Sequence, residues 1–155
     1  MLIKYLTIFL ISMVPMVELR GAVIVAQGMD VPMLPAYLLC ILGNMLPVPF
    51  IYLFAQRILI WGTKRRYIWR FCRWCLKKGH HGGEKLRARA GRGLFAALLL
   101  FVAIPIPGTG AWTGTLAASL LDIGFKPTVL AVLAGVVIAG IIMTLVGMGI
   151  FTILL

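Results

Sequence analysis

Two charged side chains, Glu18 and Arg20, interrupt an otherwise apolar N-terminal run in the stretch Val14-Pro-Met-Val-Glu-Leu-Arg-Gly21. An ionised Glu or Arg near the centre of a bilayer costs roughly 2.5–3.5 kcal/mol on insertion scales. The pair would therefore cost about 5–7 kcal/mol facing lipid, so it must face protein or an aqueous cleft. Placed there, the residue types define a chemistry. A carboxyl taken out of bulk water is a candidate proton carrier. A guanidinium stays charged and offers a planar fork to a phosphate or carboxylate. Gly21 opens the arm that follows, and a helix N-terminus favours an anion. Pro15, Glu18, Arg20 and Gly21 thus form a candidate substrate and proton site, suited to an anionic headgroup. The alternative is structural: the two side chains pair with each other or with backbone and lock the turn.

A second interruption lies ninety residues on, at Ile104-Pro-Ile-Pro-Gly-Thr-Gly-Ala111. Pro105, Pro107, Gly108, Thr109 and Gly110 sit at the centre of the uncharged run 93–121. A continuous helix through them would lose several hydrogen bonds, at about 3 kcal/mol for each interior proline. Two short helical arms meeting at a tip are the alternative, and non-helical backbone at membrane depth needs protein or a water cavity to cover it.

The elements that must hold these tips follow from composition. With 62% apolar and 12% charged residues, the chain has too little polar surface for a soluble globule. Runs 31–56, 93–121 and 127–155 carry no charge and are long enough to span a bilayer, whereas 5–17 is short for a span. Within 31–56, Pro32 and Pro35 suit a first helical turn, and Asn44, Pro47 and Pro49 predict a kink. The net charge of +11 is concentrated between Arg57 and Arg92, with twelve Lys/Arg and one Glu. Flanked by apolar runs, this block reads as a cytoplasmic loop under the positive-inside rule, not as a nucleic-acid patch. Within it, 61–78 predicts an amphipathic surface helix. Arg66, Arg70, Arg73 and Lys77 share one side, with Trp61 and Trp69 among the apolar residues of the other, an arrangement suited to anionic lipid. In 127–155, Ala131, Gly135 and Ala139 repeat at four-residue spacing, a pattern for close helix packing.

Other readings carry less. The N-terminal run resembles a signal peptide, but residues 15–20 lack the small-residue pattern of a cleavage site. Cys72, Cys75, His80 and His81 have a superficial metal spacing, on a segment whose positive charge opposes a cation. Neither a nucleophile elbow nor a phosphate-binding or dinucleotide loop is present, so the chain reads as non-enzymatic and without a cofactor. Asp30 and Asp122 read as loop or cap residues with a relay role as the alternative; Asn44 reads as an interhelical hydrogen bond or a lining residue.

The sequence also carries an internal repeat. A shift of 90 aligns Pro15 with Pro105 and Met16 with Ile106; a shift of 92 aligns Pro35 with Pro127, Leu38 with Leu130 and Gly43 with Gly135. Each unit is then one broken segment and one span. A hairpin that enters and leaves on one side plus one crossing gives an odd number of crossings, so the two units are inverted. The expected architecture is all-α: hairpin 1–30, span 31–56, basic cytoplasmic interfacial segment 57–92, hairpin 93–122 and span 125–155. Such inverted, discontinuous repeats are common in secondary transporters. With 57–92 inside, Asp30 falls outside and Lys126 inside; a four-span bundle would put Lys126 outside. Two spans give little perimeter to shield irregular backbone, which predicts a homodimer or higher homo-oligomer.

The pattern Pro15-x-x-Glu18-x-Arg20-Gly21-Ala22, the stretch from Pro105 to Gly114 and the basic loop between them resemble the small multi-drug export protein family. That family is similar to the wider DedA/VTT (SNARE-associated) membrane superfamily. The resemblance implies re-entrant hairpins in the bacterial inner membrane and proton-dependent transport, with flipping of undecaprenyl phosphate or other lipids. Relatives of the DedA type carry arginines around the second tip; Pro107, Gly108 and Thr109 supply none. The resemblance therefore leaves three functions: a proton-linked lipid translocase, a small drug/proton antiporter with Glu18 as shared site, and a membrane scaffold acting through the basic helix.

Overall fold

A computed structural model describes residues 1–65, 69–70, 72–74, 77, 92–106 and 108–154. Seven helices are formed among them, and no strand: α1 Leu2–Ser12, α2 Glu18–Gly28, α3 Met33–Met45, α4 Pro47–Gly62, α5 Arg92–Ala103, α6 Ala111–Leu120 and α7 Phe125–Leu154. The order is short, short, long, then short, short, long. α3 and α4 are nearly one rod, Met33–Gly62, which with α7 is long and apolar enough to cross a membrane. α1 and α5 are apolar but shorter.

The break between α3 and α4 falls at Leu46, directly before Pro47; Leu46 keeps helical dihedrals, and what is missing is the backbone donor that Pro47 and Pro49 lack. The rod does not stop at Gln56, the end of the uncharged run; it continues through Arg57 to Gly62. A charge can end the apolar stretch without ending the helix. α7 likewise begins at Phe125, with Pro127 in its first turn, where a missing N–H costs nothing.

α1 and α2 form an antiparallel pair. Lys4 Nζ at the start of α1 donates to Met29 O just past the end of α2, 2.6 Å away. α2 is the central helix: Leu19, Ala22, Val23 and Ala26 recur at three- and four-residue spacing and are all buried. α6 is its counterpart, with Ala111, Gly114, Thr115, Ala118 and Ser119 buried along a stripe of small residues. The chain folds back between α5 and α6, and Gly114 lies against the Val102 and Leu98 side chains.

The long elements run antiparallel. Tyr37, near the start of α3, donates to Val137 O near the middle of α7, while Tyr52 of α4 stacks edge-on against Phe125 at the start of α7, centroids 5.5 Å apart. Around them the short helices pack by a rule. Each first arm lies on the long element that follows it, α1 on α3 and α5 on α7, whereas each second arm reaches the other long element, α2 to α7 and α6 to α4. Two close approaches and two hydrogen bonds realise this. Gly43 sits against Phe9 O and Ser12 of α1; Gly135 sits against Leu99 O and Val102 of α5. Gln27 Nε2 of α2 donates to Thr144 O of α7 at 3.0 Å, and Ser119 Oγ of α6 donates to Tyr52 O of α4 at 3.0 Å.

Of the surface helix expected over 61–78, Trp61 belongs to the end of α4, and 69–70, 72–74 and 77 are helical. Arg66 lies outside the described residues, as do Pro107 and all of 78–91. Arg70, Arg73 and Lys77 are exposed while Cys72 is buried. Arg70 and Arg73 both stack on the Trp69 ring, at 5.8 and 4.8 Å, and Arg65 on Trp61 at 4.5 Å.

Candidate functional site between two broken helices

The two interruptions meet. The first tip, 13–17, is closed by short turns in which Met13, Val14 and Val17 N–H groups reach back three residues. It delivers Glu18 in a left-handed conformation, φ 52°, which costs a residue with a Cβ roughly 1–2 kcal/mol. The described residues of the second tip, 104–106 and 108–110, are non-helical and carry Gly108 at φ 88° and Gly110 at φ 140°. Gly110 is obligatory twice over: a Cβ there would enter the left-handed region and collide with the Glu18 carboxylate.

Glu18 is buried, 5% exposed. Its Oε1 accepts the Trp112 backbone N–H at 3.2 Å, so the carboxylate caps the N-terminus of α6. Arg20, half-buried, does the converse at the end of α5. Nη2 donates to Val102 O (2.9 Å), Ile104 O (3.0 Å) and Thr109 Oγ1 (3.2 Å), and Nη1 to Ile106 O (2.9 Å) and Thr109 O (3.2 Å). These carbonyls come from the last turn of α5 and the tip beyond it, where intrahelical donors have run out. The cation stands at a helix C-terminus and the carboxylate at a helix N-terminus, each opposite the partial charge it complements. Both side chains are thus spent on the other tip's backbone, and not on each other.

A cavity of about 520 Å³ opens beside these contacts, lined by both tips, with Glu18, Arg20 and Thr109 among apolar neighbours that include Ile24 and Met143. Pro15, Gly21, Pro105 and Gly108 line it as well. The structure therefore brings together Pro15, Glu18, Arg20, Gly21, Pro105, Gly108, Thr109 and Gly110. It does not bring Asp30, Asp122 or Asn44 to this cavity. Asp30 and Asp122 stand just past the ends of α2 and α6, both left-handed at φ 51° and 53°. Asn44 is buried beside the α3–α4 break, and its Oδ1 finds no partner among the described residues.

Sequence reading missed the acceptors. The groups that hold Arg20 are mostly main-chain carbonyls, which every residue has and no residue type announces. Met143 and Ile24 give no signal either, because apolar residues in apolar helices are unremarked.

Over residues 18–142, the chain matches the family described as "Putative small multi-drug export protein". It belongs to that family. No curated protein matches it, and no solved structure does.

Proposed function

We propose that this chain is a proton-linked export transporter of the cytoplasmic membrane, built as two inverted units whose broken segments are re-entrant hairpins meeting at the Glu18/Arg20 cavity. One observation carries the proposal: contacts in one half recur in the other at matching positions. Gln27 to Thr144 and Ser119 to Tyr52 are the same bond with the halves exchanged, since 27 and 119, like 52 and 144, differ by the 92-residue shift. Gly43 and Gly135 obey the same shift, and so do the left-handed Asp30 and Asp122. Reciprocal contacts of this kind are what a two-fold axis produces. Because the long elements run antiparallel, the axis lies across them, in the plane of a membrane they span.

Inverted halves sharing a mid-level site are suited to alternating access. Glu18 couples it to protons. As a carboxylate it holds the N-terminus of α6 through a charge-assisted hydrogen bond; protonated, it loses the charge that makes this bond strong. Proton binding then loosens one tip from the other and exposes the cavity. An anionic headgroup held by Arg20, as in lipid translocation, has less support, because both terminal guanidinium nitrogens are bound to the second tip. The stacked Arg65/Trp61 and Arg70/Arg73/Trp69 clusters suit a headgroup-level position for the basic segment on the cytoplasmic side, and a homodimer would shield the tips from lipid.

The test needs no known substrate. Met16, at 96% exposure on the first tip, is replaced by cysteine in a background without Cys40, Cys72 and Cys75. Labelling in vesicles with an impermeant maleimide should switch sides when the pH gradient is reversed, and Glu18→Gln should abolish the switch. Labelling from one side under every gradient, or switching that Glu18→Gln leaves intact, refutes the mechanism.

A further inference from the structure

The second tip is a cation site that the chain fills with its own Arg20. Four backbone carbonyls and one hydroxyl converge on a single guanidinium, from Val102, Ile104, Ile106 and Thr109. The Thr109 hydroxyl is also within hydrogen-bond distance of Ile104 O and Ile106 O, at 2.9 and 2.8 Å, which holds the acceptors in one array. The C-terminal end of α5 adds the negative pole of its dipole, and the Glu18 carboxylate stands on the neighbouring helix end. Apart from the Thr109 and Thr113 hydroxyls, which can both donate and accept, the polar side chains and carbonyls named at this wall besides Arg20 are acceptors or anions.

The array is also reachable. The bonds to Ile104 O and Ile106 O lie at exposed positions, and Arg20, Ile106 and Thr109 all border the 520 Å³ cavity. That volume is within the usual range for small-molecule sites, roughly 300–1,000 Å³. Its apolar wall, with Ile24 and Met143, has room for a hydrocarbon substituent beyond the charged head.

We propose that this carbonyl array is the recognition site for planar N–H-rich organic cations, alkyl- or aryl-guanidinium and amidinium compounds, and that Arg20 is a tethered occupant which such a substrate displaces. The proposal deepens the transporter reading and rests on it for the cavity's role. A tethered occupant lowers apparent affinity by the fraction of time it leaves the site empty. Its removal therefore raises affinity for a free cation of the same shape. A cation without N–H donors gains only the charge, not the five hydrogen bonds.

Binding of radiolabelled guanidinium to the purified full-length chain in nanodiscs, at fixed ionic strength, tests this. Arg20→Ala should bind it at least about ten-fold more tightly than the wild type. Phenylguanidinium should displace the label and tetraethylammonium should not. Adding Thr109→Val, which removes one acceptor, should reverse several-fold of the gain. A folded Arg20→Ala protein that binds no tighter than wild type, or equal displacement by tetraethylammonium, overturns the proposal. Should Arg20→Ala fail to fold, Arg20→Lys serves: its ammonium cannot span the array, so millimolar guanidinium should raise its Tm more than that of the wild type. An equal rise in both overturns the proposal equally. The two readings separate cleanly. Guanidinium binding without side-switching at Met16 defeats the transporter and leaves the site; side-switching without guanidinium binding does the reverse.

Discussion

Adding one methyl group at Gly43 and at Gly135 is the sharpest test of the doubled architecture, because the sign of the effect is set by packing and opposes helix propensity. In an exposed helix, Gly→Ala stabilises by about 1 kcal/mol. At Gly135 the new Cβ would lie 2.7 Å from Val102 Cβ and 2.8 Å from Leu99 O. At Gly43 it would lie 2.7 Å from Phe9 O and collide with Ser12 Oγ. The serine hydroxyl can rotate, but carbonyl oxygens on helix backbones cannot, so α1 and α5 must be pushed off their long partners. Overpacking of this size costs roughly 1–3 kcal/mol, and separation of the arms adds lost contact. After the propensity gain is set against it, each variant should lose about 1–3 kcal/mol. Gly149 supplies the control on α7 itself: a Cβ there meets nothing within 4 Å, so Gly149→Ala should be neutral or stabilising by up to about 1 kcal/mol. Thermal unfolding followed by circular dichroism in nanodiscs reads all three. Gly43→Ala and Gly135→Ala should fall by similar amounts while Gly149→Ala holds or rises. Should either of the first two match the control, the close contact in that half is not as described; unequal losses from the two would refute their equivalence.

Two further outcomes follow from the tip geometry. Arg20→Ala removes five hydrogen bonds; charge-assisted bonds are worth about 1.5–3 kcal/mol each, but water from the cavity replaces part and the losses do not add, so a net loss of about 2–4 kcal/mol is expected. At about 2–4 °C per kcal/mol for a chain of this size, Tm should drop on the order of 4–16 °C, with Arg20→Lys recovering less than half because it has no fork; a change within error would show that the bonds do not form. Cysteines at positions 30 and 126 should label from opposite faces of the membrane, position 126 from the cytoplasm, and labelling of 126 from outside would restore the four-span bundle.

Much of the fold was legible because hydrocarbon is an unforgiving solvent. Uncharged runs marked both long elements, Pro47 marked the break at Leu46, and the proline-glycine cluster at 105–110 marked the second interruption. Where reading stopped short, the physics was local. The expected end of the first span at Gln56 followed charge, whereas α4 runs on to Gly62 since nothing between them breaks a helix. Glu18 and Arg20 stood out as residues needing protein or water, and Pro15 and Pro105 each fall in one of the two tips. Their partners did not stand out. Trp112 N–H and the carbonyls of 102–109 belong to the backbone, and only the folded geometry aims them. The left-handed Glu18 had no precedent in its residue type, because glutamate is not among the residues that favour that region.

The asymmetry between the tips has a physical reason. At the 92-residue shift, Glu18 stands opposite Gly110 and Arg20 opposite Trp112. Had both halves kept the charges, the proposed two-fold arrangement would set two guanidiniums facing each other. At about 6 Å and an effective dielectric of about 20, they would repel by roughly 3 kcal/mol. The arrangement found avoids that cost. One tip carries the charges; the other offers its carbonyls and, through Gly110, leaves space for the carboxylate. Complementarity of this kind needs the halves to differ at their centre. In the proposed two-fold frame, the reciprocal pairs Gln27/Thr144 and Ser119/Tyr52 supply the matching contacts, and the single guanidinium makes the centre one-sided. A two-fold frame has two equivalent orientations, but a one-sided centre can satisfy its five hydrogen bonds in only one of them. In the proposed transporter, the Arg20 contacts would therefore bias the protein toward one state, and whatever displaces Arg20 or neutralises Glu18 would shift it toward the other.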